Sequence, residues 1–126
     1  MIARLLAAPE PGGKLVQQRP LASVPHAPTR LGNYGVHVGL THLLAEGRTA
    51  SLRHEAPEVV VVLSGELEME IDGVLSRVRA GDHFVIPADS WHCFANSSGS
   101  EATMLFAFGG DPGPITTHGD GLRLAP

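Results

Sequence analysis

The run Glu58-Val-Val-Val-Val-Leu-Ser-Gly65-Glu66-Leu-Glu-Met-Glu-Ile71-Asp72-Gly73-Val74-Leu-Ser-Arg-Val-Arg79 decides the fold of this chain. Leu67, Met69 and Ile71 alternate with Glu66, Glu68 and Glu70, so residues 66–71 read as a strand with one apolar and one solvated face. Asp72-Gly73 follows as a two-residue hairpin signal, because a type I′ turn needs positive φ and glycine supplies it without steric cost. The return strand covers 74–79 and stops at Ala80-Gly81. Upstream, residues 58–63 hold four consecutive valines. β-branched side chains resist helix, and the run predicts a strand buried on both faces.

Working outward from this hairpin, further short apolar runs predict strands at 34–44, 50–54, 83–87, 91–96 and 103–108. The 15 glycines and 10 prolines fall between the runs as punctuation, the look of an all-β domain with many turns. Closing such strands into a barrel or sandwich removes exposed sheet edges. Pro20, Pro25 and Pro28 keep 20–30 from being regular helix or central strand. Residues 1–30 therefore read as an N-terminal arm or extension and 31–126 as the barrel domain. The stretch 109–114 reads as a turn and not as a phosphate loop, since no G-K-[ST] follows it.

Composition narrows the function. At 126 residues, with 43% hydrophobic and 17% charged, the chain suits one domain with a buried core. Its 9 Lys+Arg against 13 Asp+Glu contain no basic run, so neither a nucleic-acid nor a polybasic membrane surface is expected. No segment approaches the ~20 apolar residues of a membrane helix. The short apolar run 2–8 lacks the flanks of a signal peptide, and Cys93 is the lone cysteine. A cytoplasmic location is the expectation.

Two segments resemble the motifs of the cupin superfamily. The first motif has the form G-x5-H-x-H-x(3,4)-E-x6-G; His54, Glu58 and Gly65 match its second half. The second reads G-x5-P-x-G-x2-H-x3-N; Gly81, Pro87, His92 and Asn96 match, with Asp89 in place of the second glycine. The resemblance implies a double-stranded β-helix, the jelly-roll cupin barrel, as the all-β fold. It also implies that His54, Glu58 and His92 stand at metal-ligand positions, for a divalent iron, manganese, nickel, copper or zinc ion. Two imidazoles and a carboxylate suit such ions and leave coordination positions open. The first histidine of the H-x-H pair falls on Leu52, which cannot coordinate.

The strands 34–44 and 50–54 are expected to form a hairpin through 45–48, which makes His42 an outside candidate for the missing ligand. A loop of 45–48 pairs it with Ser51, and a loop one residue longer pairs it with Leu52. Phe94 shares the face of His92, so Phe94 and Leu52 are the expected substrate-contacting residues. Cys93 points oppositely and reads as a structural thiol. His26, His37, His83 and His118 read as ordinary packed or surface histidines.

Three functions remain open on this reading. One is a metal-dependent enzyme acting on a small organic substrate, of dioxygenase, lyase, isomerase or cyclase type, because the fold does not choose among these. The second is a metal-free module that binds a small ligand as sensor or store, which Leu52 favours. The third is metal-free acid–base catalysis, with His54 or His92 as base and Glu58 orienting it. The resemblance further implies a homodimer, for which Leu5, Leu6, Leu15 and Val16 are candidates unless they close the chain's own barrel.

Overall fold

A computed structural model describes residues 15–24, 36–109 and 116–119, without the side chains of 17–24, 36 and 118. The expected arm before residue 15, with Leu5, Leu6 and the short apolar run 2–8, lies outside the described residues, as do His26 and residues 110–114 of the expected turn.

The described residues form ten strands: β1 (Val16–Val24), β2 (Val36–Leu43), β3 (Leu52–His54), β4 (Glu58–Ser64), β5 (Glu66–Ile71), β6 (Val74–Arg79), β7 (His83–Ile86), β8 (His92–Ala95), β9 (Ala102–Gly109) and β10 (Thr116–His118). They assemble into two five-stranded sheets, in the orders β1-β2-β9-β4-β7 and β10-β3-β8-β5-β6. Neighbouring strands are antiparallel throughout. This all-β arrangement of two facing sheets is the expected jelly roll.

The deciding hairpin forms as read. Glu66 pairs with Arg79 and Ile71 with Val74, and Asp72 (φ 47°) and Gly73 (φ 84°) both sit in the left-handed region that a type I′ turn needs. Strand β4 corrects an expectation. Its valines are not buried on both faces: Val60 and Val62 are buried, whereas Val59 is 44% exposed. The flanking strands β9 and β7 cover β4 edge-on within the sheet, and the second sheet covers only one face.

A second correction concerns 34–44 and 50–54, which do not form a hairpin. β2 pairs with β1 and β9 in one sheet, while β3 pairs with β8 and β10 in the other. The eight residues between them cross from sheet to sheet. Strands β1 and β10 carry little alternation and do not stand out in the sequence. β1 falls within the expected arm yet lies at a sheet edge, where Pro20 is tolerated because the outer N–H position needs no partner. Its pairing is irregular between Pro20 and Ala22.

The interior changes character along the strands. Leu43, Val62, Leu67, Val78 and Ala102 pack one end into a hydrophobic core. Gly65 (φ 77°) closes that end, where an added Cβ would come within 2.6 Å of the Glu101 carbonyl oxygen. Asn96 is 1% exposed; its amide donates to the carbonyls of Leu43 (2.9 Å) and Ser100 (2.7 Å), which gives the motif asparagine a structural role. Toward the other end, β4 runs from Val62 to Glu58 and β9 from Met104 to Phe108, and the core opens into a cavity.

Candidate metal centre

Three strands bring the motif side chains together. On β3, Leu52 and His54 face inward by strand alternation, while Arg53 points out and lays its guanidinium 4.8 Å from the Trp91 ring centroid. Glu58 begins β4 on the inner face it shares with Val60 and Val62. His92 begins β8 and is the cross-strand partner of Leu52. Glu58 Oε1 then lies 3.4 Å from His54 Nε2 and 3.3 Å from His92 Nε2. The three ligating atoms all fall within 4.8 Å of one another, and all three residues are buried. Trp91 also packs against Gly119, away from this interior.

The outer ring nitrogens fix how the imidazoles face. Nδ1 of His92 lies 3.0 Å from the Ser90 carbonyl oxygen. A carbonyl only accepts, so Nδ1 donates and, in the neutral ring, Nε2 turns its lone pair toward Glu58. Nδ1 of His54 is 2.7 Å from Thr116 Oγ1 on β10, and the ring stacks on Phe108 at 5.5 Å and 25°. Burial pushes the Glu58 carboxyl up, but hydrogen bonds from His54 and His92 and their charge pull it down further, so it is held below the ordinary glutamate range. Where a ring nitrogen facing Glu58 carries no proton, its lone pair and the ionised carboxylate repel unless a cation stands between them. A proton or a divalent metal ion satisfies that demand, and this donor set fits a transition metal.

The cavity around the triad measures about 530 Å³. Leu52 and Phe94 both line it, together with Val60, Met104, Phe106 and Phe108. Phe106 stacks on Phe108 at 6.0 Å and 20°, and Phe94 meets the His92 ring edge-on at 6.3 Å and 72°. Arg48 and Thr49, from the crossing between the sheets, complete the wall near exposed Ala50. Val16 lines the same cavity and packs on the core, so it serves the chain's own barrel.

His42 is not brought to the triad. It sits on β2, in the other sheet from Leu52, with its Nδ1 2.9 Å from Thr103 Oγ1. It pairs with Thr103 beside the Leu43–Ala102 pair of the closed end, whereas Glu58, in the same sheet, lies at the cavity end. Cys93 is buried on the face opposite His92, as expected of a structural thiol. Phe106, Phe108, Thr116 and Arg48 join the site without having been expected there. Met104, Phe106 and Phe108 recur at every second residue of β9, and that spacing is the signal that marks them as one inward face. Thr116 carries no comparable signal.

Two of the motif's glycine positions are held here by other residues, both in the left-handed region. Asp89, at the second-motif glycine, has φ 62°. Counting back through the first motif, its leading glycine falls on Glu46, which has φ 71°. Asp tolerates this region better than most residues, whereas Glu gains nothing from it.

Comparison with known proteins agrees with this architecture. Residues 39–108 match the family described as "Cupin domain". Over 80 residues the chain is 32% identical to "Polyketide synthase CurC" of Streptomyces cyaneus, covering 63% of this chain and 52% of that protein. The chain thus spans about half the length of the curated relative it matches. Among solved structures, a recombinant oxalate oxidase in complex with glycolate superposes with a TM-score of 0.72 at 26% identity, covering 90% of this chain and 60% of that one. The polyketide cyclase RemF from Streptomyces resistomycificus gives a TM-score of 0.65 at 20% identity, over 88% of this chain and 75% of that one.

Proposed function

The chain belongs to the cupin family, and from that premise we propose that it is a small metal-dependent enzyme holding a divalent transition metal at His54, Glu58 and His92. The observation that carries the reading is the convergence of two imidazole Nε2 atoms on one ionised carboxylate within an aromatic-walled cavity. When bound, iron, manganese, nickel, copper or zinc would supply Lewis acidity toward a substrate oxygen.

The chain's own residues do the rest. Ser90 and Thr116 orient the two imidazoles, and the His92 Nδ1 bond to the Ser90 carbonyl turns Nε2 toward the cavity. Phe94, Phe106 and Phe108 exclude water and offer flat faces to a flat substrate. Leu52 makes the wall beside His92 apolar.

A cavity of about 530 Å³ suits a molecule of several fused or linked rings. A two-carbon acid of the size of glycolate leaves most of it unfilled. The relatives named for polyketide chemistry therefore support the substrate better than the oxalate oxidase does, and a cyclase or lyase step on an oxygenated polyketide-like molecule is the function proposed. Pairing as a homodimer belongs to the same proposal.

The test is elemental analysis of untagged protein before and after chelation, with the His92→Ala variant alongside. Near-stoichiometric metal in the wild type, lost in the variant, is the expected result. Metal retained by the variant would remove His92 from the centre. Leu52 favours a second reading, a metal-free binding module. No metal uptake on reconstitution, with a ligand still retained, would select that second reading.

A further inference from the structure

We infer that Thr41 is a specificity-determining residue of this cavity: its hydroxyl receives a neutral oxygen, a hydroxyl or carbonyl, at the end of an aromatic ligand remote from the triad. The inference rests on the proposed function and deepens it by naming a feature of the substrate class. Thr41 is 4% exposed and lines the cavity from β2. Strand alternation places it on the inner face with His37, which meets the Phe108 ring at 5.5 Å, and with Leu43, which joins the core.

The other polar side chains around the cavity are committed elsewhere. Glu58 engages both His54 and His92. Thr116 Oγ1 lies 2.7 Å from His54 Nδ1, and Thr49 Oγ1 accepts the Phe94 N–H at 2.9 Å. Arg48 bridges Ala95, and that pairing turns its side chain to the outer face of the sheet, away from His92 and Phe94. The Thr41 hydroxyl takes part in no hydrogen bond among the described residues. A buried hydroxyl left in that condition costs free energy, and a ligand oxygen placed against it removes the cost.

Register sets how far this hydroxyl stands from the triad. Thr41 pairs with Met104, Gly39 with Phe106 and His37 with Phe108. Across β9, Met104 pairs with Val62 and Ala107 with Val59, so Glu58 stands level with Phe108. Four residues of strand, about 13 Å, therefore separate the layer of Thr41 from the layer of Glu58. Val60, Phe94 and Phe106 line the space between them, and Gly39 adds no side chain there. A flat ring system with one oxygen at the triad thus brings its far end toward Thr41, beside Met104 and the core. An apolar group at that end leaves the hydroxyl unpaired, whereas an oxygen satisfies it.

The experiment uses the full chain freed of metal by chelation, so that it does not depend on the metal centre. Isothermal titration with 2,6-dihydroxynaphthalene and with 6-methyl-2-naphthol compares two probes of nearly equal shape that differ in one hydroxyl. The wild type is expected to bind the diol about fivefold more tightly or better, the value of one net hydrogen bond. Thr41→Val keeps the shape and removes the hydroxyl. It is expected to erase or reverse the preference without weakening the methyl probe, with a wild-type melting curve. Thr41→Ser is expected to keep the preference. An undiminished preference in Thr41→Val would show that the second hydroxyl is recognised elsewhere and overturn the inference. Parallel loss of both probes would reduce Thr41 to wall shape and overturn it equally, as would a wild type that fails to discriminate or to bind. The wild-type and Thr41→Ser comparisons stand even if Thr41→Val folds poorly, and metal content, measured separately, shows whether the metal reading has failed on its own.

Discussion

Glu58 Oε1 lies 3.3 Å from His92 Nε2 although the two residues are 34 positions apart, and the same oxygen is 3.4 Å from His54 Nε2. One carboxylate oxygen thus organises both imidazoles. In Glu58→Gln the two Nε2 atoms would face a neutral amide of the same size. The fold should survive, and metal affinity should fall by more than the ~10–100-fold typical of losing an outer-shell partner. Competition with a chelator of known affinity measures this, and an unchanged dissociation constant would remove Glu58 from the ligand set.

Thr116 acts one step further out, through the 2.7 Å contact with His54 Nδ1. Thr116→Val keeps the shape and removes the hydroxyl. Its expected effect is a loss in metal affinity of about 10-fold, the lower end of the range for partners that orient a ligand. The absorption spectrum of the cobalt-loaded variant should shift, because the His54 ring is then free to turn.

The lowered pKa of Glu58 makes a prediction for the metal-free chain. Burial opposes ionisation, but the hydrogen bonds and charge of His54 and His92 outweigh it. A carboxyl whose folded pKa is below its unfolded one adds stability that is present above the unfolded value, near 4.3 for glutamate. That stability is lost as pH falls through the folded value. Urea unfolding of chelated wild type and Glu58→Gln, run from about pH 6 down to about pH 3, should show the wild-type advantage shrinking on the acid side of about 4.3. A difference between the two proteins that does not change with pH would show that Glu58 has no such coupling.

Leu52→His tests what the departure from the family motif has done. Leu52 shares a face with His54 and lies directly across from His92, so an imidazole there points into the same centre. Affinity for a divalent metal should rise about tenfold or more, roughly 1.4 kcal/mol. Binding of an apolar aromatic probe should weaken, since the wall beside it becomes polar. Titration of both ligands against wild type and variant measures the exchange.

Backbone conformation supplies a stability test. Gly65→Ala places a Cβ 2.6 Å from a carbonyl oxygen at φ 77° and should cost about 1–3 kcal/mol or more. Glu46→Gly relieves a left-handed non-glycine residue at φ 71° and should be neutral or stabilising by up to about 1 kcal/mol. Chemical denaturation of the two variants against wild type decides both signs.

Much of the site is legible in the amino-acid sequence. The spacing of His54, Glu58 and Gly65, then of Gly81, Pro87, His92 and Asn96, suffices to name three buried residues that converge within 4.8 Å. Phe94 and Leu52 follow from the same alternation and do line the cavity. Phe106 and Phe108 are readable in principle from their spacing on β9. The expectation for His42 fails because consecutive strands often pair, and nothing local to 44–51 announces a crossing between sheets.

What the sequence by itself determined is local: period-two alternation in β5, the Asp72-Gly73 turn, β-branched strand formers in β4, and the side-chain chemistry of the triad. These depend on sterics and solvation within a few residues, which any stretch of chain carries with it. The tertiary structure alone decided which strands share a sheet, that the valines of β4 are buried on one face only, that β1 and β10 are strands at all, and that Thr116 and Phe108 meet His54. Those outcomes arise from pairing segments far apart along the chain, where backbone hydrogen bonds are indifferent to side-chain identity. The choice of partner is then set by the packing of the whole interior.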